Sequence, residues 1–169
     1  MNLSFRFPRH LETMHFDGSH LSSANGALPG HWGRWHQVVT AFRQSPPGDT
    51  GRQRAWYYTF RDWCVRWLQF GHWSELNQSI YLLLLAYQRA GAPPDERPQA
   101  LLWEGFGALL RQDWRTADTC WRQVAESAPE TPLSRLAARW RERLVRVASG
   151  GSPLDWYLLY RQHLLDPNL

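Results

Sequence analysis

Four tryptophans recur along the chain at an almost constant interval. Trp32, Trp73, Trp114 and Trp156 follow one another at spacings of 41, 41 and 42 residues. A turn-forming or acidic residue comes just before each of them, as Gly71-His72 does before Trp73, and a segment of helical periodicity follows. A fixed period of this length is typical of stacked supersecondary units, none of which buries its apolar face alone. The sequence is therefore predicted to contain an internal repeat.

The composition fits one domain with an aromatic core. The 169 residues are 43% hydrophobic and 20% charged, and 11 of them are Trp. A Trp side chain needs a large space and a partner for its indole N–H. Because helical spacing accounts for most of these residues, they are assigned to the core rather than to a surface that stacks on bases.

Charge and cysteine usage place limits on partners and location. All 19 basic residues are Arg, and the 15 acids leave a net charge of +4, which permits an acidic partner without requiring one. Cys64 and Cys120 lie in apolar helical segments, which favours two buried thiols over a disulfide. The longest apolar stretch, residues 80–87, is too short to span a bilayer, and residues 1–10 do not resemble a signal peptide. We therefore expect a cytoplasmic protein.

The periodicity predicts an all-α protein of about seven helices. Residues 1–29 show no sustained period and are expected to form an irregular arm, whereas residues 30–169 form the helical repeat domain. Six helices are expected to begin near residues 30, 52, 73, 98, 114 and 132, and a short last helix covers residues 155–165. Very short turns before the recurring Trp residues force neighbouring helices to be antiparallel, so the predicted unit is a helical hairpin.

Residues 98–131 resemble a tetratricopeptide repeat (TPR), in which small and aromatic residues occupy set positions of two helices. The residues that match the pattern are Leu101, Gly105, Ala108, Trp114, Ala117, Trp121, Val124 and Pro129. A looser copy covers residues 57–90, and the resemblance extends over roughly residues 30–165. It implies a TPR-like stack of antiparallel hairpins, an α-solenoid, in which Ala117 lets the two helices of a hairpin approach each other.

The resemblance also implies a groove for a partner along the first helix of each hairpin. There a peptide or an amphipathic helix of another protein would meet the residues that lie off the core stripe. By their offset from the packing positions, these are Tyr58, Arg61, Val65, Leu68, Gln99, Leu102, Phe106 and Leu109. The apolar members favour an apolar ligand segment, and Arg61 would bind an acid.

A protein-interaction module is therefore the leading functional hypothesis. Families of similar build act as adaptors, assembly scaffolds and chaperones of larger complexes, mostly in bacteria. One alternative is a permanent subunit of a larger assembly, whose Trp-rich surface is always covered.

A stripe of arginines on the last long predicted helix supports another alternative. Arg135, Arg139, Arg143 and Arg146 are spaced by 4, 4 and 3 residues, so they share one face beside the apolar stripe. A solvated surface explains this pattern. The functional interpretation is a docking strip for acidic side chains, phosphates or lipid head groups, because guanidinium groups bind such anions through two parallel bonds. A nucleic-acid-binding regulator would use this stripe.

The sequence contains no motif that points to catalysis, a metal or a cofactor. Its histidines lack the spacing of a zinc site. No phosphate-binding loop, nucleophile elbow or carboxylate pair is present. The protein is therefore expected to be non-enzymatic and to need no cofactor. Arg54, Arg61 and Arg66 lie beside aromatic residues, where cation–π contacts could form internally or with a partner.

Overall fold

The computed structural model describes the backbone of residues 28–148 and the side chains of residues 31–145. Its helices are α1 (Leu28–Gln44), α2 (Thr50–Phe70), α3 (Trp73–Arg89), α4 (Arg97–Leu110), α5 (Trp114–Ser127) and α6 (Pro132–Ala148), with a 3-10 turn at Pro94–Glu96. The described part of the chain has no strand, so the prediction of an all-α protein is confirmed there. Nearly all of the predicted arm and the whole predicted last helix, with Trp156, lie outside the described residues.

The helices pack mainly on their neighbours in the chain. The pairs α2–α3, α4–α5 and α5–α6 form extensive contacts, α3 contacts α4, and α6 also touches α4. Helix α1 meets α2 through aromatic rings, with 5.4 Å between the ring centroids of Trp35 and Trp63 and 4.9 Å between those of Phe42 and Phe60. The result is one continuous hydrophobic core.

The turn between α2 and α3 is a helix ending of the Schellman type. The Gly71 N–H donates to the carbonyl of Leu68 at 3.2 Å, and the His72 N–H donates to the carbonyl of Trp67 at 3.0 Å. These bonds satisfy carbonyls at the end of α2 and require a left-handed residue, which Gly71 supplies with a φ of 68°. Trp73 then begins α3.

The turn between α4 and α5 has the same structure 41 residues further along the chain. The Gln112 N–H donates to the carbonyl of Leu109 and the Asp113 N–H donates to that of Ala108, both at 2.9 Å. Gln112 is left-handed, with a φ of 61°, and Trp114 begins α5. The 41-residue spacing between Trp73 and Trp114 therefore corresponds to two turns that have the same backbone structure.

The first recurring Trp does not follow this pattern. Helix α1 begins at Leu28, so Gly30-His31 lies inside a helix and is not a turn equivalent to the one before Trp73. A proline is tolerated in the first turn of a helix, and Pro29 therefore lets α1 begin ahead of Gly30. The Trp32 ring packs 4.8 Å from the ring of His72, between centroids, against the α2–α3 turn.

Polar side chains fix where the later helices begin. Asp49 caps α2 by accepting from the Arg52 N–H at 3.0 Å. The hydroxyl of Thr131 accepts from the Ser134 N–H at 3.2 Å, and Pro132 occupies the first position of α6. Thr131 thus caps α6, which begins where the sequence predicts a helix.

Helices α4 and α5 approach most closely at Gly105. A Cβ atom placed there would lie 2.4 Å from Nε1 of Trp121. The Trp121 ring is fully buried, and its Nε1–H donates to the carbonyl of Leu102 at 3.1 Å. A small residue and an aromatic residue that carry the TPR resemblance therefore meet at one contact between the two helices. The same ring packs on Trp140 of α6, with 5.1 Å between ring centroids.

The predicted use of tryptophan and cysteine is confirmed within the described residues. Seven tryptophans are buried: Trp35, Trp63, Trp67, Trp73, Trp103, Trp121 and Trp140. The three other described tryptophans are partly buried against the core: Trp32, Trp56 and Trp114. Cys64 and Cys120 are buried free thiols.

Candidate functional site

Half of the groove residues predicted from the sequence belong to the core. Four of the eight are at most 2% exposed: Leu68, Leu102, Phe106 and Leu109. The ring of Phe106, for example, packs 5.3 Å from that of Trp140, between centroids. Helix α4 contacts α3, α5 and α6, so a side chain on α4 that does not face one of these helices faces another. These four side chains are core residues and do not form the open groove that the sequence predicts.

The other four predicted groove residues are half-buried: Tyr58, Arg61, Val65 and Gln99. Two of them bind Glu96, which immediately precedes α4. The Tyr58 hydroxyl donates to the Glu96 carboxylate at 2.7 Å, and Nη1 of Arg61 lies 3.8 Å from it. The Tyr57 hydroxyl donates to the same carboxylate at 3.2 Å. The acid that Arg61 binds is thus a residue of its own chain.

A second ion pair extends this polar cluster. Arg54 pairs with Asp95, and its Nε–H donates to the Tyr58 hydroxyl at 3.2 Å. Burial is the largest cause that raises the pKa of Tyr57, and the charge of Glu96 raises it further. The Tyr57 hydroxyl therefore stays protonated and remains a donor. The cluster links α2 to the segment before α4 and holds the two helix pairs together.

The cation–π contacts expected beside the aromatic residues of α2 are internal. The guanidinium of Arg61 lies 4.9 Å from the ring centroid of Tyr58, and that of Arg66 lies 5.0 Å from the ring of Trp63. Stacking in this way fixes both guanidinium groups on the surface of their own helix.

The arginine stripe is partly exposed on the surface of α6. Arg135 and Arg139 are exposed, Arg143 is half-buried, and Arg146 lies beyond the described side chains. The neighbouring Arg141 points to α5, where its Nε–H donates to Asp118 at 2.9 Å. Arg135 and Arg139 are thus the exposed members of the stripe, one helical turn apart.

Two open troughs lie on either side of Leu101 on α4. The α4–α5 trough has a volume of about 600 Å³ and is lined by Pro94, Arg97, Pro98, Leu101, Gln123, Glu126, Ser127 and Ala128. The α3–α4 trough has a volume of about 380 Å³ and is lined by Leu84, Tyr87, Gln88, Ala92, Pro94, Arg97, Ala100, Leu101 and Glu104. These two troughs share Pro94, Arg97 and Leu101 as lining residues. A further trough of about 400 Å³ lies between α1 and α2, beside Trp56.

The α4–α5 trough combines an apolar lining with two charges. Pro98 and Leu101 supply apolar surface on α4, and Ala128 supplies it at the end of α5. Arg97 and Glu126 are exposed, and neither forms an ion pair with any other residue of the described chain. This arrangement provides an apolar surface with an exposed cation and an exposed carboxylate at its edges.

No known family profile, curated protein or solved structure matches this chain. The resemblance to TPR proteins therefore stays a prediction from the sequence.

Sequence reasoning missed the troughs because it followed the other face of α4. A signal was present, since Arg97, Leu101 and Glu104 are spaced by four and three residues and so share one side of the helix. Only the packing of α3 and α5 shows that Leu101 lies between two troughs.

Among residues 28–148, no three His, Cys, Asp or Glu side chains are grouped so that they could hold a metal ion. None of the helices in this same range combines the length and the apolar character needed to cross a membrane.

Proposed function

We propose that this protein is a non-enzymatic protein-interaction module that binds a short segment of another protein in the α4–α5 trough. The observation that carries the proposal is the trough, an open space of about 600 Å³ with an apolar lining. Helical-hairpin repeats use such surfaces to bind other proteins. A space of this size takes a few side chains of an extended or helical segment.

The charges at the trough indicate the chemistry of the segment. Among the described residues Arg97 forms no ion pair, so it favours a ligand carboxylate, which a guanidinium binds through two parallel bonds. Leu101 and Pro98 favour apolar side chains next to that carboxylate, because burying them removes apolar surface from water. Glu126 repels a second acid and gives the segment a preferred direction. The ligand is therefore an apolar segment with one acidic residue.

Selection from a displayed peptide library tests this function. We expect the wild-type protein to enrich peptides in which apolar residues flank a single Asp or Glu. Fluorescence anisotropy should then show that Arg97→Glu weakens binding at least about ten-fold, the loss expected when one charged hydrogen-bonded pair is removed. Arg34→Glu is the control, since Arg34 is an exposed arginine on α1 that lines neither trough on α4.

A second pair of variants tests the location of the site. Gln123→Trp places an indole at the wall of the α4–α5 trough, whereas Gln37→Trp places one on the exposed face of α1. The proposal requires binding to be lost in the first variant and kept in the second. Equal binding by both, or a selection that enriches no peptide, would refute it.

Nucleic-acid binding is the second candidate, and the exposed positions of Arg135 and Arg139 favour it. Contacts between guanidinium groups and phosphates release counterions, so affinity would fall steeply between about 50 and 200 mM salt. Filter binding of labelled RNA and duplex DNA to wild type, Arg135→Glu and Arg34→Glu measures this. A flat salt dependence, or equal affinity of the two variants, would remove this candidate.

A further inference from the structure

The trough between α1 and α2, here called the α1–α2 trough, lies apart from the proposed peptide site. Its volume of about 400 Å³ falls within the range of small-molecule sites. It is lined by Ala41, Gln44, Ser45, Arg52, Ala55, Trp56 and Thr59. None of these residues lines the α4–α5 or the α3–α4 trough. A ligand of the α1–α2 trough would therefore bind without touching the residues assigned to the peptide.

Trp56 gives the trough a hydrocarbon surface. Its side chain is only partly buried, yet its Nε1 atom is buried, so the exposed part of the indole is carbon. Phe60 stacks on this ring, with 5.9 Å between ring centroids and 25° between the planes, and Phe42 meets it edge-on at 5.7 Å. A planar aromatic ring bound against Trp56 would extend this cluster, and aromatic pairs are favourable beyond the area that they bury.

Ser45 supplies a hydroxyl in a fixed position. The fully buried Gln53 donates through Nε2 to the Ser45 hydroxyl at 3.3 Å and to the carbonyl of Pro46 at 3.1 Å. The Ser45 oxygen thus accepts a hydrogen bond, while its own proton has no acceptor among the described residues. A serine hydroxyl can accept and donate at the same time, so this proton is available to an oxygen atom of a ligand.

Arg52 supplies a positive charge to the same trough. It precedes Trp56 by four residues, so the two side chains share one face of α2. Its side chain is exposed and forms no ion pair within the described part of the chain. Asp49, the nearest acid along the chain, caps α2 by accepting from the Arg52 N–H. The guanidinium is therefore able to bind a ligand carboxylate through two parallel bonds.

We propose that the α1–α2 trough binds a small planar aromatic molecule that carries a single carboxylate. The ring of the ligand lies on the exposed carbon surface of Trp56, and its carboxylate accepts from Arg52 and from the Ser45 hydroxyl. The charge of Asp49 beside Arg52 disfavours a ligand with two negative charges, such as a phosphate monoester. Binding of this ligand is a second activity of the molecule, in addition to the proposed binding of a peptide.

Ligand-observed NMR titrations with three related compounds test the chemistry of the ligand. Naphthoate carries both the aromatic rings and the carboxylate, naphthalenemethanol lacks the charge, and decahydronaphthoate lacks the aromatic rings. We expect naphthoate to bind with a dissociation constant below about 1 mM, an affinity that a ligand of this size can reach. The other two compounds should bind at least about ten-fold more weakly, because each lacks one of the two interactions. Equal affinity of the three compounds, or no binding of naphthoate at about 5 mM, would overturn the proposal.

Substitutions at exposed positions test the location of the site. Arg52→Gln should weaken naphthoate binding at least about ten-fold, whereas Arg34→Gln, on the exposed face of α1, should leave it unchanged. Ala41→Trp fills the trough and should abolish binding, whereas Gln37→Trp adds the same ring outside the trough and should preserve it. Equal binding within either pair of variants would refute this location. Arg97→Glu should bind naphthoate as the wild type does, so the failure of one proposal does not decide the other.

Discussion

At the scale of single residues, Gly105 determines how closely α4 and α5 pack. An added Cβ atom would lie 2.4 Å from Nε1 of Trp121, whose ring is fully buried. We expect Gly105→Ala to lower the free energy of unfolding by about 1–3 kcal/mol through overpacking, although alanine is the better helix former. Urea denaturation followed by far-ultraviolet circular dichroism measures this change.

Gly33 is the matched control for this substitution. It lies in α1, is exposed, and an added Cβ atom would have no heavy atom within 4 Å outside its own helix backbone. Gly33→Ala should therefore raise the free energy of unfolding by about 0.5–1 kcal/mol, because alanine loses less backbone entropy on folding. If both substitutions stabilise the protein, the contact between Gly105 and Trp121 is looser than the distances indicate.

At the scale of helices and turns, two equivalent positions carry different residues. Gly71 and Gln112 both have left-handed φ angles, of 68° and 61°, and only glycine adopts them without steric cost. Gln112→Gly should raise the free energy of unfolding by about 0.5–1 kcal/mol, whereas Gly71→Ala should lower it by about 1–2 kcal/mol. Urea denaturation of both variants tests this difference, and shifts of equal sign would count against the equivalence of the turns.

The cap of α5 makes stability depend on pH. Asp113 accepts from the Thr116 N–H at 3.2 Å, and hydrogen bonds from the Thr116 side chain and backbone lower the pKa of the Asp113 carboxyl. Asp113→Ala should lower the free energy of unfolding by about 1 kcal/mol at neutral pH. Since the folded-state pKa lies below the unfolded value of about 3.9, this stabilisation is complete above that value and disappears as the pH falls through the folded-state pKa.

Denaturation of wild type and variant between about pH 2 and pH 7 measures this loss. The difference between the two proteins should narrow towards the acid end. Asp113→Asn is the control, because the amide oxygen still accepts the Thr116 bond but does not titrate across this range. A gap that stays constant with pH would show that the carboxylate charge has no part in the cap.

The helix boundaries could be predicted from sequence because they depend on local residues. Thr131 and Pro132 define the beginning of α6, and the turn before Trp114 lies only a few residues from the carbonyls that it satisfies. The site could not be predicted in this way. Whether Leu102 is buried depends on how many helices surround α4, and the partner of Tyr58 is Glu96, 38 residues away.

At the scale of the whole molecule, two thiols report on global unfolding. Burial raises the pKa of Cys64, and burial together with nearby carboxylates raises the pKa of Cys120 to about 11. At pH 8 neither thiol is ionised or accessible, and only the thiolate reacts. We therefore expect an aromatic disulfide reagent to modify the native chain at least about 100-fold more slowly than the urea-unfolded chain. Cys64→Ser and Cys120→Ser variants assign the two rates, and rapid reaction of either thiol without denaturant would contradict the fold.

The packing of indole on indole gives the protein two optical probes. Trp35, Trp63 and Trp67 are in mutual contact where α1 meets α2, and Trp121 and Trp140 are in contact where α5 meets α6. Rings this close couple their electronic transitions, so each group contributes its own bands to the near-ultraviolet dichroism spectrum. Replacing one ring of either group by Phe would change the bands of that group. The order in which the two halves of the chain assemble during refolding could then be followed without attaching a dye.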